Sequence, residues 1–281
     1  MWPMVLSHFQ AAPLLAAWRA GQASLLSSGD LNLTTAPVTL DASGVTFADG
    51  ECVVWDALAA IAESESACFA VEEGHMRAIR GFSALTNRAY SLYPTEAAPT
   101  MLVSGIPMHR IKGTNPHLDT QAKIKALAPI NGRVLDTTTG LGYTAIAAAA
   151  TASHVLTIEL DPTAQEMAAA NPWSQALFDR ARITQLIGDS AELVPGLDAE
   201  SFDVIIHDPP TFSLAGDLYA GAFYQELYRV LKRRGRLFHY IGDLDSKSGS
   251  RVTRGVIRRL QEAGFTRISE RRQAFGVVAV K

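Results

Sequence analysis

Four short stretches combine residue types that can handle a polar small molecule. The first is Val134-Leu135-Asp136-Thr137-Thr138-Thr139-Gly140-Leu141-Gly142-Tyr143-Thr144-Ala145. It reads as a strand, a glycine-bearing turn and a helix start. Glycine lets a ligand approach the backbone, and the N–H groups of a helix start are ready donors. The second, Val155 to Asp161, is an apolar strand ending in Glu159, about 20 residues beyond the turn. A carboxylate there suits the two hydroxyls of a ribose and would repel a phosphate on it, while Asp161 better suits capping the next helix. In the third, Ile187-Gly188-Asp189-Ser190, the acid can accept from an adenine amino group or cap the following helix. The fourth is Asp203-Val204-Ile205-Ile206-His207-Asp208-Pro209-Pro210-Thr211-Phe212. Two prolines stiffen the loop and leave the Asp208 carboxylate and the Pro209 carbonyl free of ladder bonding.

Such groups converge only if strands end together at one edge of a sheet. The pattern after residue 119 supplies this. Strands are expected at Arg133–Thr137, Val155–Glu159, Ile183–Ile187, Val204–His207, Leu237–Ile241 and Gly276–Val280. Helices are expected at Asp119–Leu127, Tyr143–Thr151, Pro162–Asn171, Ser190–Val194, Leu218–Arg233 and Arg251–Ala263. Alternation with continuous apolar strands means a mostly parallel sheet covered on both faces. Residues 1–115 differ. Short alternating runs at Val38–Leu40 and Val45–Phe47, a hairpin turning at Glu72-Glu73-Gly74-His75, and helices at Ala11–Gln22 and Trp55–Ser64 suggest a small α+β or β-rich domain. Residues 94–118, punctuated by Pro94, Pro99, Gly105, Pro107 and Gly113, read as a connector. The expected division is 1–115 and 116–281.

Composition narrows the classes. With 281 residues, 48% hydrophobic and 19% charged, the chain can bury a large core and is not a disordered polymer. No run of 18 uncharged apolar residues offers a spanning helix, and the start lacks the basic region of a signal peptide. Cys52 and Cys68 cannot build a disulfide framework or a zinc site, and no metal is expected. They read as buried, reduced thiols of a cytoplasmic protein. The net charge of −3 conceals a division: Arg229 to Arg272 carry 13 Lys and Arg against 4 Asp and Glu, and residues 1–228 carry 11 against 24. Such a basic stretch can hold a polyanion, or can simply decorate solvated helices.

Together the four stretches resemble the class I S-adenosylmethionine-dependent methyltransferases, over about residues 119–281. The resemblance implies a Rossmann-like α/β domain with a mostly parallel seven-stranded sheet, and S-adenosyl-L-methionine as cofactor. It places Asp136, Thr138, Gly140 and Gly142 at the methionine part, Glu159 at the ribose and Asp189 at the adenine. The family usually has glycine where Thr138 stands. Asp208-Pro209-Pro210-Thr211-Phe212-Ser213 is similar to the Asp-Pro-Pro-x-Phe of certain ribosomal RNA methyltransferases, which implies catalytic roles for Asp208, Pro209, Pro210 and Phe212. The whole chain is similar to a group of uncharacterised archaeal-type predicted RNA methylases, on Met108-His109-Arg110, Asn171-Pro172-Trp173-Ser174, His207 to Tyr219 and Phe238 to Asp243.

The expected activity is methylation of a nucleobase nitrogen in ribosomal or transfer RNA, the RNA being held by the Arg229–Arg272 region without membrane or metal. Methylation of a protein glutamine amide or of a small molecule, and aminopropyl transfer to a polyamine, stay open. Trp173 suits a structural gap better than a base. For Arg110 and His109, functional and structural readings balance. His239 or Tyr240 belongs to the core, and Asp243 stands at the active edge.

Overall fold

The computed structural model describes residues 4–178, 181–210 and 215–281. The chain forms two compact units: the residues up to His117 together with Thr163–Gln175, and Leu118–Pro162 together with Ala176–Lys281.

The first unit is mostly β. Its three antiparallel sheets are built from Met4–Leu6, Phe69–Glu72 and His75–Ala78; from Ser24–Ser27, Ala36–Asp41, Gly44–Thr46 and Cys52–Val53; and from Arg80–Ser83, Arg88–Tyr93, Thr100–Val103 and Ile106–Pro107. The hairpin at Glu73-Gly74 has positive φ at both turn residues, the mirror-image turn that matches strand twist. Helices His8–Arg19 and Trp55–Glu63 pack through Leu14, Leu58 and Ile61, and their Trp18 and Trp55 rings stack at 4.8 Å. The first helix starts before the expected Ala11 because Ser7 and Gln10 form a reciprocal cap. The expected connector 94–118 instead contains two strands, with Gly105 and Ser104 making their tight turn at positive φ. Cys68 is buried and Cys52 half-buried, both as free thiols.

The second unit carries the seven-stranded sheet. Its strands are β1 (Arg133–Asp136), β2 (His154–Glu159), β3 (Ile183–Ile187), β4 (Phe202–His207), β5 (Leu231–Tyr240), β6 (Thr266–Arg271) and β7 (Gly276–Val280). The order is β3-β2-β1-β4-β5-β7-β6; the first five run parallel, and β7 lies antiparallel between β5 and β6. Its helices are α1 (Pro116–Leu127), α2 (Tyr143–Ala149), α4 (Ser190–Leu193), α5 (Gly221–Val230) and α6 (Lys247–Glu262), while α3 (Pro162–Ala169) belongs to the first unit from Thr163 onward. This is the expected Rossmann-like architecture. Val134, Val155, Val204, Ile205, Leu237 and Val277 are almost wholly buried, as central strands covered on both faces must be. Helix α5 packs Phe223, Tyr224, Leu227 and Val230 into the same core as Val256 and Leu260 of α6.

The expected helix to Arg233 stops at Val230, where β5 begins; Arg234 takes a positive φ and Gly235 packs against Leu231. Strand β6 was not expected. Its sequence Thr-Arg-Ile-Ser-Glu-Arg lacks an apolar run because it lies at the sheet's edge, exposed at four of six residues.

Candidate active site

Strand order reverses between β1 and β4, so their carboxyl ends open a crevice of the kind in which α/β sheets bind ligands. Asp136 ends β1, Glu159 ends β2 and Asp208 follows β4. Each acid therefore arrives at the same edge because the strands that carry it are parallel and in register.

The glycine turn is preorganised by the acids around it. Glu159 Oε2 accepts from the Gly140 N–H at 2.7 Å, and its Oε1 accepts from the Asp161 N–H at 3.0 Å. Burial raises the Glu159 pKa, and these backbone donors oppose the rise. Asp136 is fully buried. Its Oδ2 accepts from the Thr144 and Thr157 hydroxyls, both at 3.2 Å, while Oδ1 has no partner of hydrogen-bonding geometry. Burial, and then the nearby Asp208 charge, push the Asp136 carboxyl up to about 7. Thr139 lies 2.6 Å from Thr157, completing a hydroxyl relay into Asp136.

Thr138 gains a physical account. Its hydroxyl donates to the Asp208 carbonyl at 2.8 Å, tying the glycine turn directly to the Asp-Pro-Pro loop. Glycine could not make that bond. Gly140 (φ +53°) and Gly142 (φ +77°) both occupy the left-handed region. A Cβ at Gly140 would meet nothing within 4 Å, whereas one at Gly142 would lie 2.6 Å from Leu177 Cδ2. The first glycine faces open space, and the second is a packing contact. Asp189 caps α4, accepting from the Ala191 N–H at 2.8 Å.

Around Asp208 the structure adds residues that sequence reasoning missed. Lys123 of α1 reaches Asp208 Oδ2 at 2.6 Å and Asp119 Oδ2 at 2.9 Å, and its ammonium lies 4.6 Å from the Tyr240 ring centroid. Burial raises the Asp208 pKa while Lys123 pulls it down. Lys123 itself is held above the ordinary lysine range by both acids, against the cost of burial. No local signal marks Lys123, because Asp208 is 85 positions away.

The Asp-Pro-Pro loop is pinned at both ends. The Tyr219 hydroxyl donates to the Pro210 carbonyl at 3.0 Å. His207 Nε2 lies 2.9 Å from the Leu218 carbonyl and Nδ1 lies 2.7 Å from the Thr137 hydroxyl. Burial drops the His207 pKa to about 3, so the ring is neutral and donates from Nε2 while accepting at Nδ1. His239 is buried too, between the Tyr224 hydroxyl and the Tyr240 carbonyl, and Tyr240 turns toward Lys123. Phe212, with Thr211, lies outside the described residues.

Two apolar side chains flank Glu159 and stay exposed: Leu160, the next residue, at 44%, and Ile187, its ladder partner in β3, at 45%. Apolar residues adjoining the acids at two strand ends were the available sequence signal for them. Elsewhere, Trp173 donates its indole N–H to the Leu31 carbonyl, and His109 bonds Thr100; Asp243 is exposed and accepts from the Asp245 N–H.

The basic stretch does not form one surface. Arg229 is spent on the Val194, Pro195 and Leu197 carbonyls and on Glu226, Lys232 on Asp203, and Arg236 on the Ala128 and Pro129 carbonyls. Arg272 pairs with Asp245 and Glu270. Arg233, Arg234 and Arg267 are exposed at the sheet edge opposite Asp208. Arg251 and Arg254, on the solvent face of α6, and Arg271, in register with Gly276 and Tyr240, lie toward the Asp208 edge. Among the described residues, no cluster of metal-ligating side chains occurs, and no helix is long and apolar enough to cross a membrane.

A family model described as a methyltransferase domain matches residues 135–239. Uncharacterized protein MJ1233 of Methanocaldococcus jannaschii is 43% identical over 238 residues, 84% of this chain and 80% of that protein. Among solved structures, a spermidine synthase in complex with the transition-state analogue AdoDATO superposes with a TM-score of 0.59 at 19% identity, covering 76% of this chain and 79% of that one. The spermidine synthase of Thermotoga maritima gives a TM-score of 0.57, also at 19%, covering 75% and 77%. At such identity these are likenesses of fold.

Proposed function

The chain belongs to the class I S-adenosylmethionine-dependent methyltransferases, and from that premise we propose that it methylates a nucleobase nitrogen in RNA. S-adenosylmethionine is the cofactor, and it supplies a methyl group made electrophilic by its sulfonium. The residues present fit it. The orphaned Asp136 Oδ1 can accept from the ammonium of the methionine part, and the bare backbone at Gly140 leaves room for that part. Each carboxylate oxygen of Glu159 keeps a lone pair for a ribose hydroxyl beyond the backbone N–H it already accepts. Leu160 and Ile187 offer apolar faces to a purine, and Asp189 keeps acceptor capacity for its amino group.

The observation that carries the reading is Asp208. It is a half-buried, oriented carboxylate just past the end of β4, held to the cofactor turn through Thr138 and followed by two stiff prolines. A base amine is a poor nucleophile because its lone pair is conjugated. Asp208 and the Pro209 carbonyl would accept its two N–H bonds and localise that pair. The proton that the nitrogen must shed on accepting the methyl group would leave toward Asp208. Phe212 would stack the base, a contact worth about 1–3 kcal/mol. Arg251, Arg254 and Arg271 support a polyanionic substrate, being exposed toward the same edge without an acidic partner among the described residues.

Asp208→Ala should keep calorimetric cofactor affinity and lose turnover; full turnover would refute the role. For the substrate, nucleoside mass spectrometry of ribosomal and transfer RNA from a deletion strain should show one missing methylated nucleoside. An unchanged profile would overturn the RNA assignment in favour of a protein or small-molecule acceptor.

A further inference from the structure

Lys123 has a side chain only 3% exposed, yet its ammonium touches two carboxylates and faces an aromatic ring. Lysine is almost never buried without such partners, because the bare charge would cost too much. The arrangement comes from three elements. Asp119 and Lys123 are four residues apart on α1, which places them on one helix face. Asp208 arrives from β4, and Tyr240 from the end of β5. Asp136, at the end of β1, is a further acidic group nearby, and the Asp208 charge raises its pKa.

The consequence falls on Asp208. Its Oδ2 is occupied by Nζ at 2.6 Å, and its Oδ1 has no hydrogen-bond partner among the described residues. We propose that Lys123 is a positioning residue that fixes Asp208 as a carboxylate with one open oxygen, so that the pocket selects an uncharged N–H acceptor and rejects an ammonium. Asp208 shares the Lys123 charge with Asp119, and an ammonium at Oδ1 would face that lysine charge across one carboxylate. A conjugated amine brings a donor and no charge, which is what a half-occupied carboxylate can accept. This deepens the assignment of Asp208 as the acceptor's receiver and rests on it.

Two arms test it. In the full-length chain labelled with carboxyl-¹³C aspartate, the Asp208 resonance is identified by its loss in Asp208→Asn. Lys123→Met should raise the Asp208 titration midpoint by at least about one pH unit, and Lys123→Arg should restore it. Asp119→Asn, which removes the acid competing for Lys123, should shift it downward. Opposite shifts from the two substitutions are not what a merely loosened fold would give. An unmoved midpoint in Lys123→Met overturns the proposal. If that variant does not fold, by circular dichroism, an unmoved or rising midpoint in Asp119→Asn does so. These readings use neither cofactor nor RNA, so their failure is separable from failure of the methyltransferase assignment.

The second arm uses putrescine as a diammonium probe at a pH above the Asp208 midpoint measured in the native chain and in Lys123→Met. Lys123→Met should bind it about tenfold more tightly than the native chain, and adding Asp208→Asn should abolish the gain. Equal binding by the native chain and Lys123→Met overturns the selectivity.

Discussion

Asp136 is the residue at which burial and function oppose each other most directly. Its folded-state pKa, about 7, lies well above the ordinary 3.8. The folded chain thus holds a proton that the unfolded chain releases. The stability this lends is fully present below pH 3.8 and is lost as pH rises through about 7, at up to about 1.4 kcal/mol per pH unit. Cofactor binding at the proposed site would have the opposite sign, since a cationic ammonium at Oδ1 would favour the ionised form. Calorimetric affinity for S-adenosylmethionine should climb as pH rises toward about 7, level off above it, and lose that dependence in Asp136→Asn. Glu159→Ala should weaken the cofactor at every pH, because it removes the proposed ribose acceptor and frees the Gly140 N–H that holds the turn. Undiminished affinity in Glu159→Ala would remove this acid from the site.

At the scale of elements, the β1 turn does two jobs with two glycines. Alanine at Gly142 must fit 2.6 Å from Leu177 in a left-handed backbone, and should cost about 1–3 kcal/mol, seen as a lower Tm. Alanine at Gly140 meets no neighbour and should cost about 1 kcal/mol from its backbone alone, yet its methyl fills the space left for the cofactor. Calorimetry should therefore find the larger affinity loss in Gly140→Ala and the larger stability loss in Gly142→Ala. The motif elements were legible in sequence because buried parallel strands are written as apolar runs with an acid at the carboxyl end. Strand β6 was not, since an exposed edge needs no such run, and neither were Thr100–Val103 and Ile106–Pro107, whose Gly105 and Pro107 imitate a linker. Lys123 was hidden for another reason: a buried ion pair is a property of two segments, and α1 alone reads as a weakly patterned surface helix.

At the scale of the whole molecule, the mild net charge of −3 becomes a spatial statement. The sequence predicts one basic region, and folding distributes it. Part is consumed in carbonyl and carboxylate contacts, part faces away from Asp208, and among the described residues Arg251, Arg254 and Arg271 are exposed toward the active edge without an acidic partner. If RNA is the substrate, replacing these three with glutamate should weaken RNA binding and lower the steepness of its salt dependence by about three phosphate contacts. The same change at Arg233, Arg234 and Arg267 should alter both far less. Filter binding across a salt series distinguishes the two sets; equal effects would mean that RNA reads the fold as a diffuse cation.

The position of β7 has one more consequence. The strand that lies between β5 and β6 is the last of the seven to be synthesised. While a ribosome is still translating the segment before Gly276, β5 has a bare hydrogen-bonding edge and β6 has no neighbour to join. The sheet cannot close during most of translation, however early the cofactor turn is made. Nascent chains stalled before Gly276 should therefore be protease-sensitive across β5, and chains carried past Val280 and clear of the exit tunnel should become resistant in one step.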